Sequence, residues 1–301
     1  MSKLFHRHNI LFDAEKAWKL YKNNPSFFNF PERITIEFTN RCNLRCFMCP
    51  RNEVDMILGD MDFGLYKKIV EEAANFLPVC LVPFFRGESL LHPRFLEMIR
   101  FAKEKGLGPI QLATNAVFLS SNIAQELLNI SIDFISFSID VNEPALYKKI
   151  RINSDYEKVF SQVMSFLKEK ERRNLTKPIT QVSAVKTEKN GPFIKEFIDF
   201  WKEKVDRVRI YYSHSLNGHL GQIAGENIAG ERKPCLKLLT DMVIYWNGEV
   251  AICNHDWQRP QFIGNVKQSS LQDIWNSTFY QEIRKKHLEG RVENFSPCNF
   301  C

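Results

Sequence analysis

The 301-residue sequence has no long apolar run. Its longest apolar stretch, from Phe76 to Phe85, spans ten residues and contains two prolines, whereas a membrane-spanning helix needs about 20 apolar residues. The N-terminus carries early positive charge but lacks an apolar core of signal-peptide length. We therefore expect a cytoplasmic protein that does not interact with a membrane.

The sequence also has little net charge: 41 basic and 35 acidic residues leave a formal charge of +6. The densest basic stretches, residues 168–177 and 283–291, have helical spacing and contain acidic residues among the basic ones. Such stretches are typical of solvated helix faces rather than of a nucleic-acid-binding patch. We expect no nucleic-acid partner.

Cysteine is scarce but clustered. Of eight cysteines, three lie within FTNRCNLRCFMCP, four belong to the last 67 residues, and Cys80 lies alone in an apolar run. In a reducing cytosol, clustered cysteines are more often metal ligands than disulfides. Thiolates are soft ligands that suit iron–sulfur clusters or zinc, whereas Cys80 is expected to be a small core residue.

Short β-rich runs alternate with amphipathic helical patterns along most of the chain, which predicts a parallel α/β sheet or barrel. In such folds the carboxyl ends of the strands carry the chemistry. The predicted strands are residues 33–39, 79–85, 109–115, 134–140, 179–185 and 207–213. Beyond a Gly- and Asn-rich linker, we predict a β-hairpin that turns at Asn247-Gly248 and one helix over residues 270–288.

The first three thiols, Cys42, Cys46 and Cys49, directly follow the first predicted strand. A loop this short lets three thiolates surround one compact polynuclear centre. Iron–sulfur clusters that only transfer electrons are bound by four cysteines. Three cysteine ligands therefore leave one metal position open for chemistry. The alternative is a structural zinc site completed from elsewhere, although such sites usually use paired ligands.

A C-x3-C-x2-C motif after the first strand of a six-fold β/α pattern resembles the radical S-adenosylmethionine (SAM) superfamily. The resemblance covers about Glu32 to Ser215 and implies a partial (β/α)6 TIM-like barrel. It implies that the three cysteines hold a [4Fe-4S] cluster whose fourth iron is chelated by SAM. Reductive cleavage of SAM would then yield a 5′-deoxyadenosyl radical that abstracts a hydrogen atom, with electrons from a flavodoxin- or ferredoxin-type donor.

Other stretches resemble the SAM-binding motifs of this family. FRGESLLHP is similar to the Gly-Gly-Glu-Pro motif, where Gly87 and Glu88 match whereas Arg86 and Ser89 do not. Met48 precedes the third cysteine, a position that is often aromatic in the family. The resemblance implies that SAM is bound by Met48, Gly87, Glu88, Asn115, Ser138, Asp140 and Arg151. Ordinary strand-end capping or a surface ion pair is the alternative for the last three.

The four C-terminal cysteines resemble a second family motif. Cys235 and Cys253 flank the predicted hairpin with C-x(9–15)-G-x4-C spacing, and Cys298 and Cys301 enclose two residues at the end. This resembles a SPASM or twitch domain reduced to four ligands, an architecture like that of 2-deoxy-scyllo-inosamine dehydrogenases. It implies one auxiliary [4Fe-4S] cluster bound by all four thiolates. A four-thiolate zinc ribbon is the alternative.

The resemblance divides the chain into a helical extension (1–31), a radical SAM core barrel (32–225) and a small α+β SPASM/twitch domain (226–301). A fully ligated auxiliary cluster has no open iron, so we expect it to accept the electron left on the substrate after hydrogen abstraction. This predicts a radical SAM oxidoreductase that dehydrogenates a small molecule or carbohydrate. The candidate bases are His214, Tyr212 and Asp256.

Two alternatives remain open. One is a peptide-modifying enzyme that makes a crosslink, a thioether or an epimerised residue, for which an exposed sheet edge would be favourable. The other is a non-catalytic protein that binds zinc or nucleic acid.

Overall fold

The computed structural model describes residues 14–212, 233–257 and 261–300. The helices in these ranges are α1 (Ala14–Asn23), α2 (Phe63–Ala74), α3 (Phe95–Glu104), α4 (Ser121–Ile130), α5 (Pro144–Ile150), α6 (Tyr156–Arg172), α7 (Ile194–Trp201), α8 (Lys237–Thr240), α9 (Leu271–Trp275) and α10 (Thr278–Leu288). The strands are β1 (Arg33–Ile36), β2 (Cys80–Val82), β3 (Gln111–Thr114), β4 (Phe134–Ser138), β5 (Ile179–Lys186), β6 (Arg207–Tyr212), β7 (Asp241–Ile244) and β8 (Val250–Ala251).

The strands form two four-stranded sheets, in the orders β2-β1-β7-β8 and β3-β4-β5-β6. A parallel bridge between Leu81 and Ile110 joins β2 to the start of β3, so the order runs continuously from β8 to β6. All neighbouring strands except β7 and β8 run parallel. Because helices connect the parallel strands β1 to β6, the predicted partial (β/α)6 TIM-like barrel is confirmed.

The C-terminal part adds strands to the barrel sheet. β7 pairs in parallel with β1, with Arg33 opposite Asp241, and the Glu37 amide donates a 2.9 Å hydrogen bond to the Ile244 carbonyl. β7 then turns back into β8 at Asn247-Gly248, as the sequence predicts, and Gly248 has a φ of +90° that glycine adopts without strain. The domain boundary near residue 225 stays a prediction, because residues 213–232 are not described.

Local sequence signals explain where the helices begin and what they bury. The Asp62 carboxylate accepts a hydrogen bond from the Leu65 amide and starts α2, as an N-cap residue does. The buried side chains of α2 recur at helical spacing and face the core: Leu65, Tyr66, Ile69, Val70 and Ala73. No helix in the described ranges combines the length and apolar character that a bilayer crossing requires.

The prediction of one helix over residues 270–288 is wrong. Ser277 has extended backbone angles, and its side chain accepts a hydrogen bond from the Tyr280 amide, so α9 ends before it and α10 begins after it. The apolar pattern continues across the break because both short helices bury residues, including Trp275 and Tyr280. Trp275 Nε1 donates a 2.7 Å hydrogen bond to the Phe28 carbonyl, which joins α9 to the segment between α1 and β1.

Candidate functional site

The loop after β1 carries the three clustered thiols. The Cys49 amide bonds to the Cys46 carbonyl at 3.0 Å, which makes a tight turn between these two ligand positions. Burial raises the pKa of the Cys42 thiol to about 11, and it also raises the pKa values of Cys46 and Cys49. Such thiols become ligands when a bound metal centre compensates the thiolate charge.

The donor set of this loop suits a polynuclear centre. In the described ranges, no three Cys, His, Asp or Glu side chains converge closely enough to share one metal ion. Thiolates around an iron–sulfur cluster do not need to converge in this way, because each binds a different iron. The described cysteines are all free thiols, so none of this trio is used in a disulfide.

Gly87 and Glu88 follow β2 and lie directly against the thiol loop. The Glu88 amide donates to the Arg41 carbonyl at 2.9 Å. A Cβ added at Gly87 would lie 2.2 Å from the Thr39 carbonyl oxygen and 2.7 Å from that of Arg41. Only a residue without a side chain allows this close backbone approach.

The Glu88 carboxylate is buried at the ends of β2 and β3. It accepts hydrogen bonds from Thr114 Oγ1 (2.9 Å), the Asn115 amide (2.7 Å) and the Leu90 amide (3.2 Å). Burial raises its pKa, although these hydrogen bonds act in the opposite direction. A fixed carboxylate next to the thiol loop has the chemistry to bind an ammonium group.

Asp140 and Arg151 form a buried ion pair that reaches the thiol trio. Asp140, which has a φ of +73°, accepts from Arg151 Nε at 2.5 Å and from the Val185 amide at 2.7 Å. Arg151 Nη1 lies 3.7 Å from Cys46 Sγ. Burial acts to lower the pKa of Arg151, but the charges of Asp140 and Cys46 raise it above its usual value, so the guanidinium stays charged.

The other predicted SAM contacts lie around the same barrel end. The Asn115 side chain donates to Asn43 Oδ1 at 3.0 Å, and Asn43 belongs to the thiol loop. Ser138 ends β4 opposite Ser183 and is half-buried. Met48 is half-buried and packs against the core. Contact of these residues with SAM stays a prediction.

Sequence reasoning missed the role of Arg86, which it treated only as a departure from a glycine motif. Arg86 Nε and Nη2 bind the two Glu37 carboxylate oxygens at 2.7 and 2.8 Å, and both side chains are buried. The Arg86 guanidinium also lies 4.1 Å from the centroid of the Tyr245 ring. A glutamate placed just after β1 was the available signal for this pair.

Arg51 is a second residue that sequence reasoning missed. It follows Cys49 by two positions and is buried, and its Nη1 donates to the Asn40 carbonyl. Its Nε has no hydrogen-bond partner among the described residues. A buried guanidinium therefore borders the thiol loop, and the signal for it was a basic residue two positions after the third cysteine.

The C-terminal cysteines form a second thiol group. Burial raises the pKa of the Cys253 thiol to about 12, and the neighbouring charges of Cys298 and Cys235 raise it further. Cys253 Sγ accepts a 3.3 Å hydrogen bond from the His255 amide, and the Cys235 amide donates to His287 Nδ1 at 3.3 Å. Cys235, Cys253 and Cys298 therefore lie near enough for their charges to interact, whereas Cys301 lies outside the described residues.

Of the candidate bases, only the Asp256 side chain can be placed. It is buried, its Oδ2 accepts a 3.2 Å hydrogen bond from the Ile252 amide, and its carbonyl accepts from Tyr245 Oη at 2.5 Å. These contacts stabilise the loop after β8. His214 and the Tyr212 side chain lie outside the described part of the chain, so the identity of the base stays a prediction.

We expect Gly87→Ala to destabilise the protein and to weaken SAM binding. The added methyl group would overlap the Thr39 carbonyl, at a cost of about 1–3 kcal/mol for overpacking. Displacement of Glu88 should weaken SAM binding at least about tenfold, measured by equilibrium dialysis on the anaerobically reconstituted protein. Gly191→Ala is the control, because a Cβ there would meet nothing within 4 Å. Equal SAM affinity in both variants would contradict the expectation.

Comparison with known proteins identifies the two parts of the chain. Residues 36–172 match the radical SAM superfamily, and residues 235–301 match the SPASM iron–sulfur cluster-binding domain. The chain is a radical SAM enzyme with a SPASM domain. This match speaks against the alternative of a non-catalytic zinc- or nucleic-acid-binding protein.

Two curated relatives resemble the enzyme in sequence. The Pyrococcus furiosus tungsten-containing aldehyde ferredoxin oxidoreductase cofactor-modifying protein is 27% identical over 85% of this chain and 84% of its own length. A probable GTP 3′,8-cyclase from Methanocaldococcus jannaschii is 30% identical, but the match covers 43% of each protein. The second likeness is therefore limited to less than half of the chain.

Two solved structures resemble the radical SAM enzyme in fold. BtrN in complex with AdoMet and 2-DOIA has a TM-score of 0.64 and 18% identity, over 90% of this chain and 93% of BtrN. Streptococcus suis SuiB bound to precursor peptide SuiA has a TM-score of 0.68 and 16% identity, over 95% of this chain and 73% of SuiB. At these identities the likeness concerns the fold.

The predicted cofactors follow from these two domains. A radical SAM domain implies SAM and a [4Fe-4S] cluster, and a SPASM domain implies further iron–sulfur binding. When bound, such a cluster would supply the electron for the reductive cleavage of SAM to a 5′-deoxyadenosyl radical. The thiol loop would provide soft ligands for the cluster, and the Arg151 guanidinium beside Cys46 would offset thiolate charge.

Proposed function

We propose that this radical SAM enzyme dehydrogenates a small molecule or carbohydrate and passes the second electron to an auxiliary [4Fe-4S] cluster. The observation that carries the redox part of the proposal is the second thiol group of Cys235, Cys253 and Cys298. A cluster held by these residues and Cys301 would have no open iron for substrate, so its remaining role is electron transfer.

The network around Arg86 supports electron transfer between the two sites. Arg86 directly precedes Gly87 and Glu88, and its guanidinium lies on the Tyr245 ring. Tyr245 Oη in turn bonds to the Asp256 carbonyl, three residues after Cys253. A series of contacts therefore runs from the proposed SAM-binding strip through Arg86 and Tyr245 to the loop that follows Cys253.

The class of substrate is proposed from the interior of the barrel and from the relatives. Buried polar side chains line β4 and β5: Gln181 Nε2 donates to Ser136 Oγ at 2.9 Å, and Ser136 lies 3.3 Å from Ser183 Oγ. Such groups suit a polar small molecule. The relative that matches 85% of the chain is named as cofactor-modifying, and BtrN, solved with 2-DOIA, is matched over 93% of its length.

Peptide modification is the second candidate, because β6 offers an exposed edge. Among the described strands, β6 pairs only with β5, and its Arg207, Arg209 and Tyr211 side chains are exposed. An extended peptide could add to this edge as a further strand. SuiB, which has a similar fold, was solved with a precursor peptide.

Deuterium transfer separates the two candidates. We expect a deuterated cyclitol or sugar from a candidate panel to transfer its label to 5′-deoxyadenosine, read by mass spectrometry, while the substrate loses two electrons. Cys253→Ser should keep SAM cleavage and lose most of the oxidised product, because only the electron acceptor is damaged. Label transfer from peptides and from no cyclitol or sugar would reject the first candidate.

A further inference from the structure

A buried positive charge borders the thiol loop without a carboxylate partner. Arg51 is 8% exposed, and none of the described carboxylates forms an ion pair with its guanidinium. Glu37 is the acidic residue that acts on Arg51 through its charge, but Arg86 already binds both oxygens of that carboxylate. Because a buried ion without a counter-charge is costly, we expect Arg51 to have a counter-charge of another kind.

The hydrogen bonds of Arg51 leave part of its guanidinium unused. Its Nη1 donates to the Asn40 carbonyl and lies 3.6 Å from Met56 Sδ. Its Nε is buried and finds no acceptor among the residues that the structure describes. Nearly every buried polar group in a native protein makes a hydrogen bond, so this N–H group points to an acceptor that binds beside the loop.

Two thiols of the loop lie within electrostatic range of Arg51. Burial lowers the pKa of Arg51, whereas negative charge on Cys42 or Cys49 raises it. The Arg51 amide also donates a hydrogen bond to the Cys49 sulfur. Both the backbone and the side chain of Arg51 therefore lie where negative charge on the thiol loop would be stabilised.

The other two buried guanidiniums near the loop bring no net charge to it. Arg151 forms an ion pair with Asp140, and Arg86 forms one with Glu37. Each pair is neutral as a whole, so its field falls off steeply with distance. Arg51 is different, because its positive charge is not cancelled by a carboxylate.

We propose that Arg51 is the counter-ion that sets the reduction potential of the SAM-binding cluster. A [4Fe-4S] cluster held by three thiolates carries net negative charge, and reduction would add one electron and no proton. A fixed cation favours the more negative, reduced state and therefore raises the reduction potential, which depends on local charge and on hydrogen bonds to sulfur. The inference rests on the assignment of the thiol trio to this cluster, and it holds for any substrate.

Redox titration of the anaerobically reconstituted enzyme tests this role without measuring turnover. We expect Arg51→Met to lower the midpoint potential of the SAM-binding cluster by about 60 mV or more, equivalent to a tenfold change in the equilibrium of a one-electron reduction. Dithionite is the titrant and electron paramagnetic resonance is the readout. The signal of this cluster is assigned by its change when SAM is added, and the potential of the second cluster is the internal reference, which should not move.

Two variants separate the charge of Arg51 from its shape. Arg51→Lys keeps the positive charge and should recover most of the lost potential. Arg45→Met removes an exposed cation from the same loop. Because water screens an exposed charge about fourfold more strongly than a protein site does, Arg45→Met should shift the potential by about a quarter as much or less.

Two results would overturn the role of Arg51 as a counter-ion. One is a potential in Arg51→Met that shifts no more than in Arg45→Met, and the other is an equal shift in Arg51→Met and Arg51→Lys. If Arg51→Met does not retain the cluster, Arg51→Lys decides: a retained cluster at the wild-type potential supports the role of charge, and loss of the cluster in both variants overturns it. A wrong assignment of the thiol trio is a separate result, because the wild-type protein would then show no signal that responds to SAM.

Discussion

Replacing Cys42, Cys46 and Cys49 together by alanine should reduce the formation of 5′-deoxyadenosine at least about 1000-fold, equivalent to about 4 kcal/mol in the activation barrier. The three thiols are the soft ligands of the loop after β1, and no three Cys, His, Asp or Glu side chains in the described ranges converge on a substitute metal site. Iron and sulfide should fall from two clusters to one. The measurement is chromatography of SAM cleavage products under dithionite, together with metal and sulfide analysis.

Cys80→Ala is the matched control for the thiol trio. Cys80 is also a buried free thiol, but it lies within β2 and belongs to neither thiol group. Its replacement should leave both clusters and SAM cleavage in place. Persistent SAM cleavage by the triple variant would contradict the assignment of the trio, and zinc without sulfide in the wild-type protein would contradict both clusters.

Arg86→Met should lower the free energy of unfolding by about 3–5 kcal/mol, because it leaves a buried carboxylate without its charged partner. Glu37 is fully buried, and the Arg86 guanidinium donates hydrogen bonds to both of its carboxylate oxygens. Burial acts to lower the pKa of Arg86, but the hydrogen bonds and the charge of Glu37 raise it above its usual value, so the guanidinium stays charged. Urea unfolding of the reconstituted protein measures the change.

Two further variants test whether the stability lost in Arg86→Met comes from the unpaired buried charge of Glu37. Glu37→Gln/Arg86→Met should recover much of the stability, because the unpaired buried charge is gone. Arg94→Met is the surface control: Arg94 and Glu97 also form a two-bonded pair, but both are exposed, so the effect should be far smaller. Equal losses in Arg86→Met and Arg94→Met would show that burial of the pair is unimportant.

Much of the barrel could be predicted, since each strand and helix is encoded by a short local pattern. The six predicted strands all occur, although β1 to β4 are each shorter than predicted: they end at Ile36, Val82, Thr114 and Ser138, where the loops of the site begin. The helix prediction near Ser277 failed because a single capping hydrogen bond outweighed a continuous apolar pattern. Local capping is difficult to recognise when the burial pattern on both sides is the same.

Some residues of the candidate site could be predicted from the sequence, and others could not. Cys42, Cys46 and Cys49 could be found because cluster ligands crowd into one loop, and Gly87 with Glu88 could be found by motif. The pairing of Arg86 with Glu37 was harder to find, because the two residues lie 49 positions apart and the sequence signal was only a glutamate just after β1. The link from Arg151 to Cys46 spans 105 residues, and only the folded chain can bring such groups together.

The sequence by itself determined the candidate thiol ligands, the alternation of strands and helices and the turn at Asn247-Gly248, since each depends on residues close together in the chain. Only the tertiary structure decided that β7 lies beside β1, that Glu37 receives Arg86 and that Arg151 reaches Cys46. These features depend on packing between distant segments, where burial removes water and makes the choice of partner energetically decisive.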